Sequence, residues 1–241
     1  MGGHRAGSEP DPPPGGNRTF LDHLDPATVD RLCRLGARRE FRAQQVLTRQ
    51  GEPGHAVLIV LSGLVKVAVS SADGDEVLLG LYGRGELLGE VSALQGAARS
   101  ATVTGHLPGE LVEIPASRFR DFVGSRPDLL GAVLAPTAQR LRRADLHRLQ
   151  YAGSDVGGRV AAILLGWAER YGTASDEGVV IGVRASRREL AQAVVASEKT
   201  VDDVLTVLSR AGLVRTGRRR FVLRDAAGLH RWMHDRAAFD S

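Results

Sequence analysis

Cysteine is almost missing from this sequence, with Cys33 alone among 241 residues. That excludes an intrachain disulfide and any all-cysteine zinc or iron–sulfur centre. Long apolar runs are missing too. Ala56 to Leu61 is among the longest, far short of the roughly 18 residues that a membrane span requires. The start, Met1-Gly-Gly-His-Arg, leads into no apolar stretch of the signal-peptide kind. Ala6 stands where a myristoylation motif needs Ser or Thr. A cytoplasmic protein without a membrane partner is therefore expected. No Walker loop, zinc-protease motif or Ser/His/Asp arrangement appears, so an enzyme is not expected.

Lysine is scarce as well. Only Lys66 and Lys199 stand against 30 arginines, and the arginines are unevenly placed. Residues 1–125 carry 13 basic and 15 acidic side chains, a net of −2. Residues 126–241 carry 19 and 13, a net of +6. A basic second half suits a polyanionic partner. Arginine abundance arising from codon usage, in a chain also rich in alanine and glycine, is the alternative. The remainder is ordinary for a globular protein, at 43% hydrophobic and 25% charged.

Residues 1–18, with Pro12-Pro13-Pro14-Gly15-Gly16, offer no apolar face and read as a disordered tail. Asp25-Pro26 supplies an N-cap and a proline at the first helical position, opening a helix through Leu32. From Glu40 to Glu113 the period shortens. Apolar or alternating runs at Ala56–Leu61, Leu64–Val69, Glu76–Tyr82, Ala101–Thr104 and Leu111–Ile114 are divided by glycine-bearing turns. Such spacing predicts an antiparallel sandwich or barrel. A short helix follows near Ser117–Val123, then a long one from about Pro127. In the long helix Leu130, Leu134, Thr137, Leu141 and Ala144 are spaced 4, 3, 4, 3, the seam of a coiled coil. A helix lying on its own barrel would give the same pattern. Pro136 should kink it. A further helix over Asp155–Tyr171 and a strand at Val180–Val183 complete this stretch.

Ser186-Arg-Arg-Glu189 is a capping box that opens a helix with Leu190, Ala193 and Val194 inward. Ser197 caps a second helix striped by Val201, Val204, Leu205 and Leu208. Two short capped helices joined by a tight turn form a helix-turn-helix, the second being the recognition helix. Leu213–Arg215 and Arg220–Leu223 flank Thr216-Gly217-Arg218-Arg219 as a hairpin wing with a basic tip. A purely structural αα-hairpin leaves that wing unexplained, so nucleic-acid binding is the expectation.

In this order the chain resembles the cyclic AMP receptor protein/fumarate–nitrate regulator (Crp/Fnr) family, over about residues 20–224. The most specific stretch runs from Gly85 through Gly89-Glu90 to Arg99-Ser100 and is similar to the family's phosphate-binding cassette. Asp155-Val-Gly-Gly-Arg159-Val-Ala resembles the sequence that opens its DNA-binding domain. The resemblance implies an α+β protein: a β-roll over 19–126, a dimerisation helix over 127–153 and a winged helix-turn-helix over 154–241. It implies a homodimer that binds operator DNA and meets RNA polymerase, with a cyclic nucleotide as effector. Cyclic AMP is the first expectation and cyclic GMP the competitor. No metal, haem or iron–sulfur cluster is implied.

The chemistry of the cassette stands on its own. Arg99 offers a permanently charged fork to one phosphate and Ser100 a neutral donor. Gly89 lets the backbone approach the ligand, and Glu90 can accept from a ribose 2′-hydroxyl. Taken singly, Glu90 and Arg99 could be a surface ion pair and Gly89 a turn. Gly83-x-Gly85-x-x-x-Gly89 is a poor dinucleotide loop, because its last spacing is wrong and no helix is expected after it. The base-reading half departs from the family. Its polar pair falls on Ala144 and Asp145, and Gly80 stands where the family has a hydroxyl residue, while Arg140 can still approach the base. Asp145 can accept from adenine N6–H2 or from guanine N1–H and N2–H2.

The recognition helix departs further. Glu198, Lys199, Asp202, Asp203 and Thr206 face outward and sum to −2, and Glu198 and Asp203 replace arginines of well-known relatives. Val195 replaces the turn glycine. Affinity for DNA is expected from Ser186, Arg187, Arg188 and the wing residues Arg215, Arg218, Arg219 and Arg220 on phosphates. Ser197, Glu198, Lys199, Thr200 and Asp203 are placed to meet the groove. A C-terminal domain that contacts a protein instead of DNA is the rival, and a DNA-binding regulator that needs no ligand is a third reading. His230 and His234, four apart, read as a solvated helix face rather than a metal site, and Cys33 as packing.

Overall fold

The computed structural model describes residues 18–70, 76–153 and 155–237, with side chains described outside 143–153 and 234–237. Residues 1–17 of the expected tail therefore lie outside the described residues, as do the side chains of Ala144, Asp145 and His234. Helix α1 (Pro26–Cys33) begins as its sequence requires. The Asp25 carboxylate accepts from the Thr28 amide at 2.9 Å, and Pro26 takes the first helical position.

The roll follows as β1 (Ala37–Phe41), β2 (Val46–Thr48), β3 (Ala56–Val60), β4 (Leu64–Ser70), β5 (Glu76–Tyr82), β6 (Leu87–Leu88), α2 (Glu90–Gln95), β7 (Thr102–Leu107) and β8 (Gly109–Pro115). They form two antiparallel four-stranded sheets, β1-β8-β3-β6 and β2-β7-β4-β5. The unbroken apolar run of β3 is explained by burial on both faces. Leu58 and Val60 join the core between the sheets with Val65, Tyr82 and Val103. Val57 and Ile59 turn the other way, onto Phe20, Phe119 and Val133.

Within the roll, the elements not expected from sequence are β1, β2, β6 and α2. The edge strand β1 reads Ala-Arg-Arg-Glu-Phe and is exposed at its first four positions, so it carries no apolar alternation. The helix α2 corrects one sequence argument: a helix does follow Gly89. A dinucleotide loop remains excluded by spacing and by charge, since Glu90 occupies the first helical position where an anion would bind.

Helices α3 (Ala116–Gly124), α4 (Leu129–Gly153) and α5 (Val156–Tyr171) lead into the second domain. Pro136 lies inside α4 without ending it. Then come β9 (Gly172–Ser175), β10 (Gly178–Ile181), α6 (Arg187–Val194), α7 (Glu198–Arg210), β11 (Val214–Gly217), β12 (Arg220–Leu223) and α8 (Ala226–Ala237). Strand order is β11-β12-β10-β9. The expected strand at Val180–Val183 starts earlier, as one arm of a hairpin with the unforeseen β9.

The winged domain folds back onto the roll. Leu64, Leu78 and Leu81 of the roll share its core with Trp167, Leu190 and Phe221. The Tyr171 hydroxyl donates to the Leu81 carbonyl at 2.6 Å, and Arg170 donates to Glu86 at 2.9 Å. His106 of β7 enters the same interface, its Nε2 against the Val183 carbonyl. Along α4, Leu130, Leu134 and Leu141 remain 47, 60 and 62% exposed. Thr137 departs from that seam. Its hydroxyl turns inward and donates to Glu90 at 2.9 Å.

Candidate functional site

One cavity of about 210 Å³ gathers most of the expected nucleotide residues: Gly89, Glu90, Arg99, Ser100 and Arg140 all line it. Arg99 is buried at 7% exposure. Its Nη1 donates to the Gly89 carbonyl at 3.2 Å and to Ser92 Oγ at 3.1 Å, and its Nη2 donates to the Ala56 carbonyl. Burial pulls the guanidinium below its ordinary value, against the opposing charges of Glu113, Glu90 and Glu52. A cation so stripped of water attracts an anion strongly, because its partners here are dipoles rather than a carboxylate in contact.

Gly89 has a reason the sequence did not give. Its φ is +79°, and a Cβ there would lie 1.8 Å from Arg99 Nη1. Any side chain would evict the guanidinium from the cavity wall. The glycine thus makes room for the arginine, whatever it also does for a ligand.

Glu90 and Arg140 are not arranged as expected. Glu90 is 6% exposed, and its Oε1 accepts from Thr137 at 2.9 Å and from Arg140 Nη2 at 2.5 Å. Arg140 also donates to the Leu87 carbonyl at 3.1 Å, lies 3.8 Å from Glu86, and sits over the Tyr82 ring. The expected base contact is therefore engaged with the expected ribose contact. A ligand hydroxyl would have to share or displace that pair. Ser100 is exposed at the cavity edge. Asp145 lies outside the described side chains. Sequence reasoning missed Ser92, Tyr82, Glu86 and Arg170. Only Tyr82 had a visible signal, since alternation puts it on the same strand face as Gly80.

The helix-turn-helix is built as its caps dictate. Ser186 Oγ accepts from the Glu189 amide, and Glu189 Oε2 accepts from the Ser186 amide at 2.8 Å, completing the capping box. Ser197 Oγ accepts from the Thr200 amide at 3.1 Å and bonds the Thr200 hydroxyl at 2.8 Å. Ser186, Ser197 and Thr200, expected to meet DNA, are therefore occupied by capping.

Several expected phosphate contacts also have partners within the chain. Arg187 pairs with Asp202 at 2.7 Å and lies over the Phe221 ring. Arg215 and Arg220 both reach Glu177, at 2.6 and 3.5 Å, across from the β9–β10 turn. Arg219 donates to the Arg184 carbonyl at 3.1 Å and stands 3.7 Å from Glu189. Arg188 and Arg218 are exposed, as are Glu198, Lys199, Asp202, Asp203 and Thr206 on α7. The basic face predicted from sequence is thus partly neutralised. Short ion pairs near the surface are weak, so a phosphate can compete for these arginines.

Val195 ends α6 at φ 51° and ψ 62°, in the left-handed region, and is 60% exposed. A β-branched residue there is strained by roughly 1–2 kcal/mol, with no packing gained in return. Val195→Gly is expected to raise stability by about 1 kcal/mol, or ~2–4 °C in Tm for a chain of this size. Differential scanning calorimetry checks this, and an unchanged or lower Tm would remove the strain argument.

Residues 38–126 match the cyclic nucleotide-binding domain, and residues 158–232 match the Crp-like helix-turn-helix domain. The chain belongs to the Crp/Fnr family. Among its relatives is a CRP-like cAMP-activated global transcriptional regulator of Mycobacterium tuberculosis (strain CDC 1551 / Oshkosh). It is 28% identical over 208 residues, 86% of this chain and 93% of the relative. The cAMP-activated regulator CRP of Escherichia coli O6:H1 is 29% identical over 177 residues, 73% of this chain and 83% of the relative. Among solved structures, the c-di-GMP responsive global regulator CLP of Xanthomonas campestris aligns at a TM-score of 0.75 and 26% identity, covering 83% of this chain and all of that one. As a Crp-type protein the chain is a cyclic nucleotide-responsive transcription regulator with a helix-turn-helix. No helix among the described residues is long and apolar enough to cross a membrane.

Proposed function

We propose that this regulator is a cytoplasmic homodimer whose roll takes a cyclic purine mononucleotide, cyclic AMP before cyclic GMP. Ligand resets the α4 pair and with it two winged domains on operator DNA, from which the dimer contacts RNA polymerase. The observation that carries this reading is a cavity lined by Gly89, Glu90, Arg99 and Ser100 together with Thr137 and Arg140 of α4. Ligand and dimer helix share one wall, so occupancy and helix placement are coupled.

The ligand's phosphate would meet Arg99 and Ser100, and its ribose hydroxyl would compete with Arg140 for Glu90. Displaced Arg140 would weaken its hold near Glu86, which also holds Arg170 of α5. That gives a physical route from the cavity to the winged domain. A mononucleotide suits the cavity better than the two phosphates of c-di-GMP. Arg99 is the buried guanidinium free of a carboxylate contact, whereas Arg140 is held by Glu90.

Calorimetry against cyclic AMP, cyclic GMP and c-di-GMP tests the reading, followed by DNA binding with and without the best ligand at fixed salt. Arg99→Ala is expected to lose a charge-assisted bond worth ~1.5–3 kcal/mol, about 10–150-fold in affinity. Unchanged affinity would remove Arg99 from the site. The acidic outer face of α7 favours one rival, a C-terminal domain that contacts protein. Absence of DNA binding at low salt, with and without nucleotide, would make that rival the better account.

A further inference from the structure

The base-reading positions expected on α4 and at Gly80 carry no hydroxyl, yet a phenol stands on the cavity wall beside Gly80. Tyr82 lines the cavity and is 8% exposed, on the same face of β5 as Gly80. A Cβ built at Gly80 would lie 3.1 Å from the Tyr82 hydroxyl oxygen and 3.1 Å from its ring. The aromatic ring fills the space where a side chain at position 80 would begin. Glycine inside a strand weakens it and marks a place where another group must come close. Here that group is Tyr82.

Two further observations fix the ring at the ligand site. The Arg140 guanidinium lies over its face, 5.6 Å from the centroid, while the same guanidinium grips Glu90. Ring, cation and carboxylate are thus one assembly along the wall. The β4–β5 pairing slips opposite Val67 and Ala68, leaving Leu79 outside the register and 54% exposed at the same cavity. Leu79 leans into the cavity, and Tyr82 supplies the polar atom among its apolar neighbours Leu58, Val67 and Leu88.

We propose that Tyr82 is a specificity-determining residue, its ring seated in the room that Gly80 provides and its phenol hydroxyl meeting the edge of the bound purine. The inference rests on the cyclic-nucleotide reading above and names the group that discriminates within it. A phenol donates one hydrogen bond and accepts others, so it can accept from the 6-amino group of adenine or donate to the 6-oxo group of guanine. These two bonds differ in direction and strength, which makes the hydroxyl a discriminator rather than a uniform grip.

The test measures cyclic AMP and cyclic GMP affinities by calorimetry for wild type, Tyr82→Phe, Gly80→Ala, Tyr82→Leu and the Gly80→Ala/Tyr82→Leu pair. Tyr82→Phe keeps the ring and is expected to keep the wild-type Tm. Losing one neutral hydrogen bond should lower affinity for the preferred nucleotide about 2- to 12-fold. The ratio between the two nucleotides should move with it. Gly80→Ala should weaken binding by pushing the ring, but should do nothing further once Tyr82 is leucine. Equal losses for both nucleotides, no loss in Tyr82→Phe, or additive effects of the two positions would overturn the assignment while leaving the wild-type reading intact. Wild-type protein that binds neither nucleotide would overturn both.

Discussion

Leu141→Asp is expected to convert the protein to a 25.7 kDa monomer in sedimentation at micromolar concentration. Leu130, Leu134 and Leu141 lie along α4 at 47, 60 and 62% exposure within one chain. A helix with that much leucine in water is short of a partner. In a parallel pair of α4 helices each protomer would bury its leucines against the other's, and the substitution would place a carboxylate there twice. An unpaired buried charge costs several kcal/mol, enough to empty a micromolar dimer. Leu141→Ala gives the milder comparison, weakening association without the charge. If Leu141→Asp still sediments as a dimer, the protomers meet elsewhere. Thr137 marks where the simple heptad fails. It falls in register with the leucines, yet its hydroxyl belongs to Glu90 and the cavity. The seam and the ligand wall are neighbouring faces of one helix, which is how occupancy could be felt by the partner.

What the sequence made legible was whatever short-range chemistry decides. Glu76–Tyr82 was placed to the residue as β5, because a short apolar run is bounded by glycines on both sides, at Gly74 and Gly83. The caps at Asp25, Ser186 and Ser197 were readable because each needs only a side chain three residues from its amide. The cassette residues Gly89, Glu90, Arg99 and Ser100, close in sequence, line one cavity. Charge partners were not legible. Arg187 meets Asp202, and Glu177 holds Arg215 and Arg220 from 38 and 43 residues away. Counting arginines therefore overstated how many stand ready for phosphate. The strand β1 was missed because an exposed edge strand needs no apolar pattern, and β2 because its three residues are too few to show one. The joint between the domains was least legible of all, since His106 meets Val183 across 77 residues.

That joint carries a pH dependence of its own. Glu189 completes the capping box of α6, is 8% exposed, and lies 3.3 Å from His106 Nδ1 in the roll. That nitrogen is buried, and its contact with the carboxylate crosses the joint between roll and winged domain. Burial pushes the Glu189 carboxyl up, but His106 and the Ser186 amide and hydroxyl outweigh it and hold it down at about 2, from 4.5. Arg219, 3.7 Å away, adds a further positive neighbour. A folded-state value below the unfolded one gives stability that is complete above pH 4.5 and is lost as pH falls toward 2. At about 1.4 kcal/mol per unit the effect is on the order of 3 kcal/mol. Glu189→Gln keeps an acceptor for the Ser186 amide but removes the charge. Urea unfolding of wild type and variant between pH 3 and 7 should therefore show a gap of that order at neutral pH, with more than half of it gone by pH 3. A gap that stays constant across this range would mean that Glu189 stabilises the joint as a neutral cap alone. In that case the charge contact between roll and winged domain would contribute nothing to holding them together.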